Sequence, residues 1–439
     1  MRGKAHEFPL DPATMYALGR ALTVRLRSSS KNATILLGMD TRESGPEIAR
    51  ALVAGIQAEE GEATLIGVVP TPAVAYLCRT SDAAAAISIS ASHNAYHDNG
   101  VKIFGHDGMK LADALEAAIE SELMAIRERG DELPRIGAIE LQENPAFIAR
   151  YERFLLDSIA PKALRGKRVA IDPGHGAAYR IAPEVFRRSG ADVKLINDQP
   201  NGININEQSG ALHPERLSKF VVESKADFGV AFDGDADRAI FVDEAGRIRN
   251  GDEILYLWAK RLNRDKALLK HTVVATVMSN FGFERQLNAE GIRLIRTQVG
   301  DKYVLEKMLE SGAVLGGEQS GHIIDLRIHT TGDGIHTALV MGEILATEST
   351  PFSLLRTFKA TPQVLVNQPV ASKPPLETLP SFVAALRVAE RRLGTHGRVL
   401  VRYSGTENLV RVMVEGDDPR EIASIAEGLR ATLTSAIGG

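Results

Sequence analysis

The sequence predicts an α/β protein made of three related α/β domains, each a mixed sheet of βαβ type, and a C-terminal α+β domain around a central cleft. Three observations support this. A strand, helix, glycine and strand follow one another in the same order three times. Four polar loops of different chemistry are spread along the chain. Its 439 residues also exceed what one hydrophobic core supports, and ~150 residues per domain gives about three domains.

The repeated unit is read from apolar runs and helical spacing. Gly61, Gly190 and Gly291 each separate a helical stretch from the strand that follows it. Parallel pairing of two strands needs a helical crossover, so each copy is predicted to be a βαβ unit. The copies cover residues 35–39, 48–60 and 63–68; residues 168–172, 182–189 and 192–196; and residues 272–278, 283–290 and 292–295. A further helix is predicted over residues 13–27.

Each copy then continues into another apolar run that ends in a polar loop. Residues 86–90 lead to Ser92, residues 228–232 lead to Asp233, and residues 313–315 lead to Gly316. In open α/β sheets, ligands bind outside the carboxyl ends of the strands. We therefore expect these three loops to line one cleft.

The chain changes character after residue 361. A series of prolines predicts a linker or an irregular entrance to the last domain. Strands over residues 398–403 and 409–415, with a helix from about Pro419, predict a small α+β domain. The prolines are Pro362, Pro369, Pro374, Pro375 and Pro380. The predicted domains are residues 1–150, 151–249, 250–362 and 363–439, each with one polar loop.

The composition is typical of a soluble globular protein. The hydrophobic share is 44% and the net charge is −4, with no large block of one sign, which argues against a nucleic-acid partner. The single cysteine, Cys78, excludes an intrachain disulfide. No apolar run approaches the ~20 residues of a membrane span, so we expect no membrane partner and a cytoplasmic location. The protein is expected to be a monomer or a homodimer.

Three carboxylates stand in five residues at Asp233, Asp235 and Asp237. Carboxylates repel one another unless a cation or solvent relieves them, and Mg²⁺ prefers such oxygen ligands. An exposed acidic turn is the plain alternative. A calcium-binding EF-hand is excluded because its sixth position needs glycine and is Arg238 here, and because a strand, not a helix, precedes the loop. The sequence therefore predicts a magnesium site.

Ser92 is predicted to be the group that does covalent chemistry. A serine that carries a phosphoryl group needs a cation to offset the charge of the transferring oxygens, and the aspartate loop would supply one. A hydrolase triad is the alternative, but no Gly-x-Ser-x-Gly sequence surrounds Ser92. We interpret His93 as an orienting group. Lys102 is a candidate acid, base or phosphate contact, although an isolated lysine is more often solvated.

The last two loops carry groups that suit a phosphorylated sugar. Two glycines precede Glu318, Ser320 and His322, which stand at every second position, and glycines allow a ligand to approach the backbone closely. A carboxylate with a hydroxyl is a common pair for binding sugar hydroxyls. The other loop gathers donors that suit a phosphate dianion, with an ordinary hairpin as its alternative. Its residues are Arg402, Ser404, Gly405, Thr406 and Arg411. The glycine-rich loop at residues 172–176 lacks phosphate-loop spacing and is interpreted as structural.

Taken together and in this order, the four loops resemble those of the α-D-phosphohexomutase family over nearly the whole chain. That family has three related α/β domains and a C-terminal α+β domain around a cleft. Ser-His-Asn at residues 92–94 resembles its phosphoserine loop, and Asp-Gly-Asp-Ala-Asp-Arg at residues 233–238 its Mg²⁺ loop. The loops at residues 317–322 and 402–407 look most like the phosphoglucosamine mutase branch, since the phosphomannomutase/phosphoglucomutase branch tends to have Met at the position of Gln319.

The resemblance implies a phosphoryl exchange between glucosamine 6-phosphate and glucosamine 1-phosphate. Phosphorylated Ser92 would give its phosphate to the sugar, and a hexose 1,6-bisphosphate, both intermediate and activator, would turn round before the other phosphate returns. One Mg²⁺ per subunit would be held by Ser92 and the three aspartates. A phosphomannomutase/phosphoglucomutase, or an impaired sugar-phosphate-binding relative, is the alternative.

The resemblance also assigns roles to residues. Ser92, Lys102, Arg238 and His322 form the expected catalytic set, with Lys102 and His322 as candidates for proton transfer. Arg2 would contact the phosphoserine. The expected substrate-binding set is Arg2, His93, Glu318, Ser320, Arg402, Ser404, Gly405, Thr406 and Arg411.

The sequence departs from the family pattern at three places. Ala95 and Asn408 stand where the family usually has proline, which loosens two turns without removing a functional side chain. The chain begins at Met1 where the family has Phe-Gly-Thr-(Ser/Asp)-Gly-(Ile/Val) before the arginine that Arg2 matches. We expect the true start to lie upstream, with a valine codon read as Met1.

Overall fold

The computed structural model describes residues 1–29, 33–130, 133–348, 350–404 and 408–437, and these residues form four sheets. The first sheet has the spatial order β1-β5-β4-β2-β3, in which β2 runs parallel to β3 and β4, and β5 runs antiparallel to β4. Its strands are β1 (Arg2–Lys4), β2 (Thr34–Met39), β3 (Glu62–Val68), β4 (Ala85–Ile89) and β5 (Asp98–Gly105), and its helices are α1 (Pro12–Ser29), α2 (Gly45–Ala58), α3 (Thr71–Arg79) and α4 (Asp113–Arg129).

The second sheet repeats this arrangement, with the order β10-β9-β8-β6-β7. Strand β6 runs parallel to β7 and β8, and β9 runs antiparallel to β8. Its elements are α5 (Pro145–Asp157), β6 (Arg168–Asp172), α6 (Ile181–Arg188), β7 (Asp192–Leu195), α7 (Glu215–Ser224), β8 (Phe228–Phe232), β9 (Ala239–Asp243) and β10 (Ile248–Arg249).

The third sheet has the order β12-β11-β13-β14, with β11 parallel to β12 and β13, and β14 antiparallel to β13. The predicted threefold repeat of mixed sheets is therefore confirmed. Its elements are α8 (Gly251–Arg264), β11 (Thr272–Thr276), α9 (Phe281–Ala289), β12 (Arg293–Thr297), α10 (Asp301–Ser311), β13 (Leu315–Gly317), β14 (Ile323–Asp325) and α11 (Gly334–Thr347).

The fourth sheet is antiparallel, with the order β15-β17-β16. Its elements are β15 (Gln363–Pro369), α12 (Pro380–Leu393), β16 (Gly397–Tyr403), β17 (Leu409–Gly416) and α13 (Pro419–Ile437). The prediction of a linker or an irregular entrance is wrong for the start of the proline-rich segment, because β15 is an edge strand. Proline is tolerated there, since Pro369 ends the strand and Pro380 begins a helix, where an N–H is not needed.

The cores explain how the loops are held. One cluster of buried side chains runs through the first three sheets, with Leu36, Phe228 and Val273 among its members. The fourth sheet has a separate core, built around Phe382 and Val412. The first three sheets therefore share a continuous hydrophobic core. In the part of the chain that the structure describes, no helix is long and apolar enough to cross a membrane.

Candidate active site

The three polar loops occupy equivalent positions in the three related sheets. Each connects the third parallel strand to the antiparallel strand beside it: β4 to β5, β8 to β9, and β13 to β14. The loops touch one another directly. Ser92 Oγ donates to Asp233 Oδ2 at 2.7 Å, and the Ala239 amide donates to the Gly321 carbonyl oxygen at 3.1 Å. The fold repeat therefore converges on one site.

Ser92 lies in this site with 3% of its surface exposed. Its hydroxyl is 2.7 Å from Asp233 Oδ2 and 3.3 Å from His93 Nδ1. Burial, followed by the nearby charge of Arg238, lowers the pKa of His93, which favours the neutral ring. Arg2, on β1, donates to Asn94 Oδ1 at 3.3 Å. The structure thus places Ser92, His93 and Arg2 around one loop.

The aspartate loop has the donor set of a hard-cation site. Asp233, Asp235 and Asp237 are buried, and one carboxylate oxygen from each lies within 4.8 Å of the others. Within the described ranges, Oδ1 of Asp235 and Oδ1 of Asp237 are buried without a hydrogen-bond partner. Buried carboxylate oxygens left unpaired are costly, and Mg²⁺ takes such oxygens as ligands. These residues fit a divalent cation.

Burial and like charge act unevenly on these carboxylates. Burial, then the charges of Asp237 and Asp235, raises the pKa of Asp233 well above its usual range. Burial also favours the neutral form of Asp237, but the charges of Lys102, His322 and Arg238 outweigh it and lower the pKa of Asp237. A bound cation would favour the charged form of all three carboxylates.

Lys102 and Arg238 are the fixed cations of the cluster. Lys102 Nζ lies 2.7 Å from Asp235 Oδ2 and 3.3 Å from Asp237 Oδ2. Burial opposes the charge of Lys102, but Asp235 and Asp237 outweigh it and raise its pKa. The Arg238 amide donates to Asp233 Oδ1 at 3.1 Å, and its guanidinium lies 3.8 Å from Asp237 Oδ1. Lys102 is therefore a charged ammonium at the site rather than a solvated side chain.

The loop between β13 and β14, residues 318–322, presents one buried carboxylate and one buried imidazole. Glu318 Oε1 accepts from the Gly300 amide at 3.2 Å, and Ser320 is half-buried beside it. His322 is 2% exposed, and neither of its ring nitrogens has a hydrogen-bond partner in the described part of the chain. Both nitrogens are buried, and the ring packs closely against Gly332.

The loop between β13 and β14 packs against the first residue of helix α8. The Gly251 amide donates to the Gln319 carbonyl oxygen at 2.9 Å. A Cβ at Gly251 would lie 2.1 Å from the Glu318 carbonyl oxygen and 2.8 Å from the Gly321 nitrogen. No side chain fits between the helix and the loop, so glycine is required at this position.

We therefore expect Gly251→Ala to displace Glu318 and Ser320. Because an error of about 1 Å in positioning costs roughly 10²-fold in rate, kcat/KM should fall by about that factor. Gly428→Ala is the matched control, since a Cβ there meets nothing within 4 Å. Steady-state kinetics and a melting curve of both variants check this, and equal kcat/KM values would contradict it.

The basic loop, residues 402–411, begins and ends in two strands of the fourth sheet. Arg402 and Arg411 are directly opposite across β16 and β17. Burial, and then the charge of Arg411, lowers the pKa of Arg402, as expected for like charges gathered to hold an anion. Arg402 Nη2 lies 3.9 Å from Met278 Sδ, in the turn that follows β11. The Ser404 carbonyl accepts from Lys373 Nζ at 2.8 Å, while Gly405 and Thr406 lie outside the described residues.

Sequence reasoning missed the residues that hold the loops. The Thr71 amide donates to the Asp235 carbonyl oxygen at 3.0 Å, and Thr71 Oγ1 donates to Asp235 Oδ2 at 2.7 Å. Arg42 is buried and paired with Asp40 at 2.9 Å, and its guanidinium donates to carbonyl oxygens of the Ser92 loop. The available signal was the polar pair Asp40 and Arg42 at the carboxyl end of β2.

Comparison with known proteins agrees with this architecture. The chain is 46% identical over 439 residues to the phosphoglucosamine mutase of Solibacter usitatus, covering 100% of this chain and 98% of that one. It is 45% identical over 449 residues to the phosphoglucosamine mutase of Anaeromyxobacter sp. (strain Fw109-5), covering 100% and 95%.

Solved structures have the same fold. A phosphoglucomutase/phosphomannomutase family protein from Burkholderia thailandensis superposes with a TM-score of 0.81 at 24% identity, over 99% of this chain and 96% of that one. The N-acetylphosphoglucosamine mutase of Aspergillus fumigatus, solved with GlcNAc-6P and magnesium, has a TM-score of 0.68 at 18% identity, over 96% of each chain.

Family models match in four consecutive stretches, each described as a phosphoglucomutase/phosphomannomutase domain. Three are alpha/beta/alpha domains, numbered I, II and III, and the fourth is the C-terminal domain. They match residues 1–130, 146–246, 250–360 and 365–432. Together with the repeated sheets and the converging loops, these matches show that the chain belongs to the phosphoglucomutase/phosphomannomutase family.

Proposed function

We propose that this protein interconverts glucosamine 6-phosphate and glucosamine 1-phosphate through a phosphorylated Ser92. The observation that carries the proposal is the 2.7 Å hydrogen bond from Ser92 Oγ to Asp233, inside a buried cluster of three aspartates. A serine in that position can accept and return a phosphoryl group beside a cation. Relatives about 45% identical over the full chain are phosphoglucosamine mutases, which favours the amino sugar as substrate.

The proposed cofactor is one Mg²⁺. Asp233, Asp235 and Asp237 would hold it together with the oxygen of Ser92. When bound, the cation offsets negative charge on the transferring phosphoryl oxygens. The fungal N-acetylphosphoglucosamine mutase of the same fold was solved with magnesium, which supports this choice of cation.

The chain's own groups account for orientation and proton transfer. Phosphoryl transfer asks the protein mainly for positioning and for charge compensation. Lys102, held as an ammonium between Asp235 and Asp237, and Arg238 would compensate charge at the reacting end of the sugar. His322, with both nitrogens unpartnered among the described residues, would exchange the proton of the sugar hydroxyl, with Lys102 as the second proton group.

The remaining groups would bind the substrate. Glu318 and Ser320 would hold sugar hydroxyls, and Arg2 and His93 would contact the phosphoserine. The non-reacting phosphate would lie on the basic loop of the fourth sheet, at Arg402, Ser404, Gly405, Thr406 and Arg411. A hexose 1,6-bisphosphate would be the intermediate and activator, so the cleft must let it turn round, with each of its two phosphates facing Ser92 in turn.

Each proposed domain would supply one loop to this cleft. We place the boundaries at residues 1–150, 151–249, 250–362 and 363–439. The order of the contributions along the chain is the nucleophile, the cation site, the sugar site and the phosphate site.

The test is a comparison of substrates. Purified protein is assayed with Mg²⁺ and a trace of hexose 1,6-bisphosphate on the 6-phosphates of glucosamine, glucose and mannose. We expect the highest kcat/KM on glucosamine 6-phosphate. A preference for mannose or glucose phosphate would assign the protein to the other branch, and no turnover on any of the three would contradict the proposal.

A further inference from the structure

The backbone of Ser92 is held in a conformation that it would not adopt unaided. Its φ is 52°, in the left-handed region, which is uncommon for a residue other than glycine. Such a conformation persists only when its surroundings fix it. The Ser92 amide donates to Ser90 Oγ at 2.9 Å, and the Ser92 carbonyl oxygen accepts from Arg42 Nη2 at 3.1 Å. Both of these partners belong to the first sheet, as Ser92 does.

A third partner comes from the second sheet. Asn206, in the segment between β7 and α7, donates from Nδ2 to the Ser92 carbonyl oxygen at 2.9 Å and to the Asn94 carbonyl oxygen at 3.0 Å. Asn206 is 8% exposed, and its backbone amide donates to the Gly174 carbonyl oxygen at 2.9 Å. Its side chain is therefore anchored on the second sheet and bonded to the first.

The side-chain amide of Asn206 also contacts the aspartate loop. A Cβ at Gly234 would lie 2.5 Å from the Ser92 carbonyl oxygen and 2.8 Å from Asn206 Nδ2. The carbonyl of Ser92, the Asn206 amide and the backbone between Asp233 and Asp235 are therefore packed against one another without space for a further atom. The position of Ser92 relative to the aspartate loop depends on this contact between the three groups.

We propose that Asn206 is a positioning residue for phosphoryl transfer: its side-chain amide fixes the Ser92 backbone against the aspartate loop. This inference rests on the proposed function of Ser92. Asn206 touches no reacting atom in the structure, and it acts through the carbonyl oxygen of the nucleophile. Because a displacement of about 1 Å costs roughly 10²-fold in rate, loss of the amide should lower kcat by about that factor and leave KM nearly unchanged.

A merely structural role predicts something different. Arg42 binds the same loop from inside the first sheet, with bonds to the carbonyl oxygens of Asn94 and Asp98, each at 2.9 Å, and an ion pair to Asp40. Loss of Asn206 therefore leaves the loop folded and leaves no buried charge unpaired. The expected phenotype is slow transfer in a stable protein.

The experiment compares two variants with one matched control. Asn206→Gly removes the amide and tolerates the φ of 60° at this position, and Asn206→Ala removes the amide without adding a charge. Asn204→Gly is the control, because Asn204 lies in the same segment and, among the described residues, its side chain bonds only to Gln199 and Asn201 of that segment. For each protein we would measure kcat, KM, the melting temperature and the phosphoryl content of Ser92 by intact mass.

The expected result is a kcat roughly 10²-fold lower in both Asn206 variants, with KM and melting temperature close to those of the wild type and of Asn204→Gly. Wild-type kcat in Asn206→Gly, or equal losses in Asn206→Gly and Asn204→Gly, would overturn the inference. If the glycine variant does not fold, the same comparison between Asn206→Ala and the control decides. Absence of turnover and of phosphoryl on Ser92 in the wild type would instead overturn the proposed function.

Discussion

Ser92→Ala should carry no phosphoryl group and should lose turnover by roughly 10⁴-fold or more, because no other group can take over a covalent nucleophile. The substitution removes one buried hydroxyl and its hydrogen bond to Asp233. The protein should therefore remain folded, with a loss of stability of about 1 kcal/mol. Intact mass, steady-state kinetics and a melting curve measure these three quantities.

The matched control is Ser81→Ala. Ser81 is a partly buried serine of the same sheet region, and its hydroxyl donates to the Leu77 carbonyl oxygen at the end of α3. We expect that variant to retain both phosphorylation and turnover. Retained turnover in Ser92→Ala would assign the covalent step to another group.

Chelation of divalent cations should abolish turnover reversibly, since three buried carboxylates would then face one another and the phosphoryl oxygens uncompensated. Mg²⁺ should also stabilise the folded protein, by about 2.7 kcal/mol at a concentration 100 times its Kd. Both effects should disappear in a variant with Asp235→Asn and Asp237→Asn. Melting temperature as a function of Mg²⁺ concentration measures the binding without reference to activity.

Asp113→Asn is the control for the charge change. Asp113 is exposed, and its carboxylate pairs with Lys302 rather than with a residue of the aspartate loop. That variant should respond to Mg²⁺ as the wild type does. A melting temperature of the wild type that is independent of Mg²⁺ would argue against a cation site at the three aspartates.

Much of the fold could be predicted because its strands are short apolar runs and because glycines mark the ends of the helices between them. Strands β6 and β8 have the predicted bounds, and the three copies of the unit are all present. The crossover helices α3, α7 and α10 were missed. Helix α3 has 9 residues and α7 has 10, so each offers few turns on which a helical period can be recognised.

The proline-rich segment shows a different limit. Its prolines argue against a central strand, and the strand that forms there lies at the edge of its sheet, where one side needs no partner. Composition alone does not distinguish an edge strand from a linker, because the position of a strand within a sheet is a tertiary property.

The side chains that face the cleft could be predicted from local motifs, whereas those that hold the loops could not. Asp233, Asp235 and Asp237 are neighbours in sequence, so their shared chemistry is visible. Thr71 and Asn206 bond to groups more than a hundred positions away, and mostly to backbone carbonyls. Every residue has a backbone carbonyl, so the residue type of the acceptor does not indicate such a contact. These contacts can be identified only in the three-dimensional structure.

The most direct test of the central claim is a single turnover of the phosphorylated protein. Protein that carries one isotopically labelled phosphoryl group on Ser92 is mixed, in excess over glucosamine 6-phosphate, with Mg²⁺, and the label is followed in time. We predict that the label passes from Ser92 to a sugar 1,6-bisphosphate and then remains in glucosamine 1-phosphate, while the 6-phosphoryl group of the bisphosphate returns to Ser92. Glucosamine 1-phosphate that forms while the label stays on the protein, or release of the label as inorganic phosphate, would contradict the account.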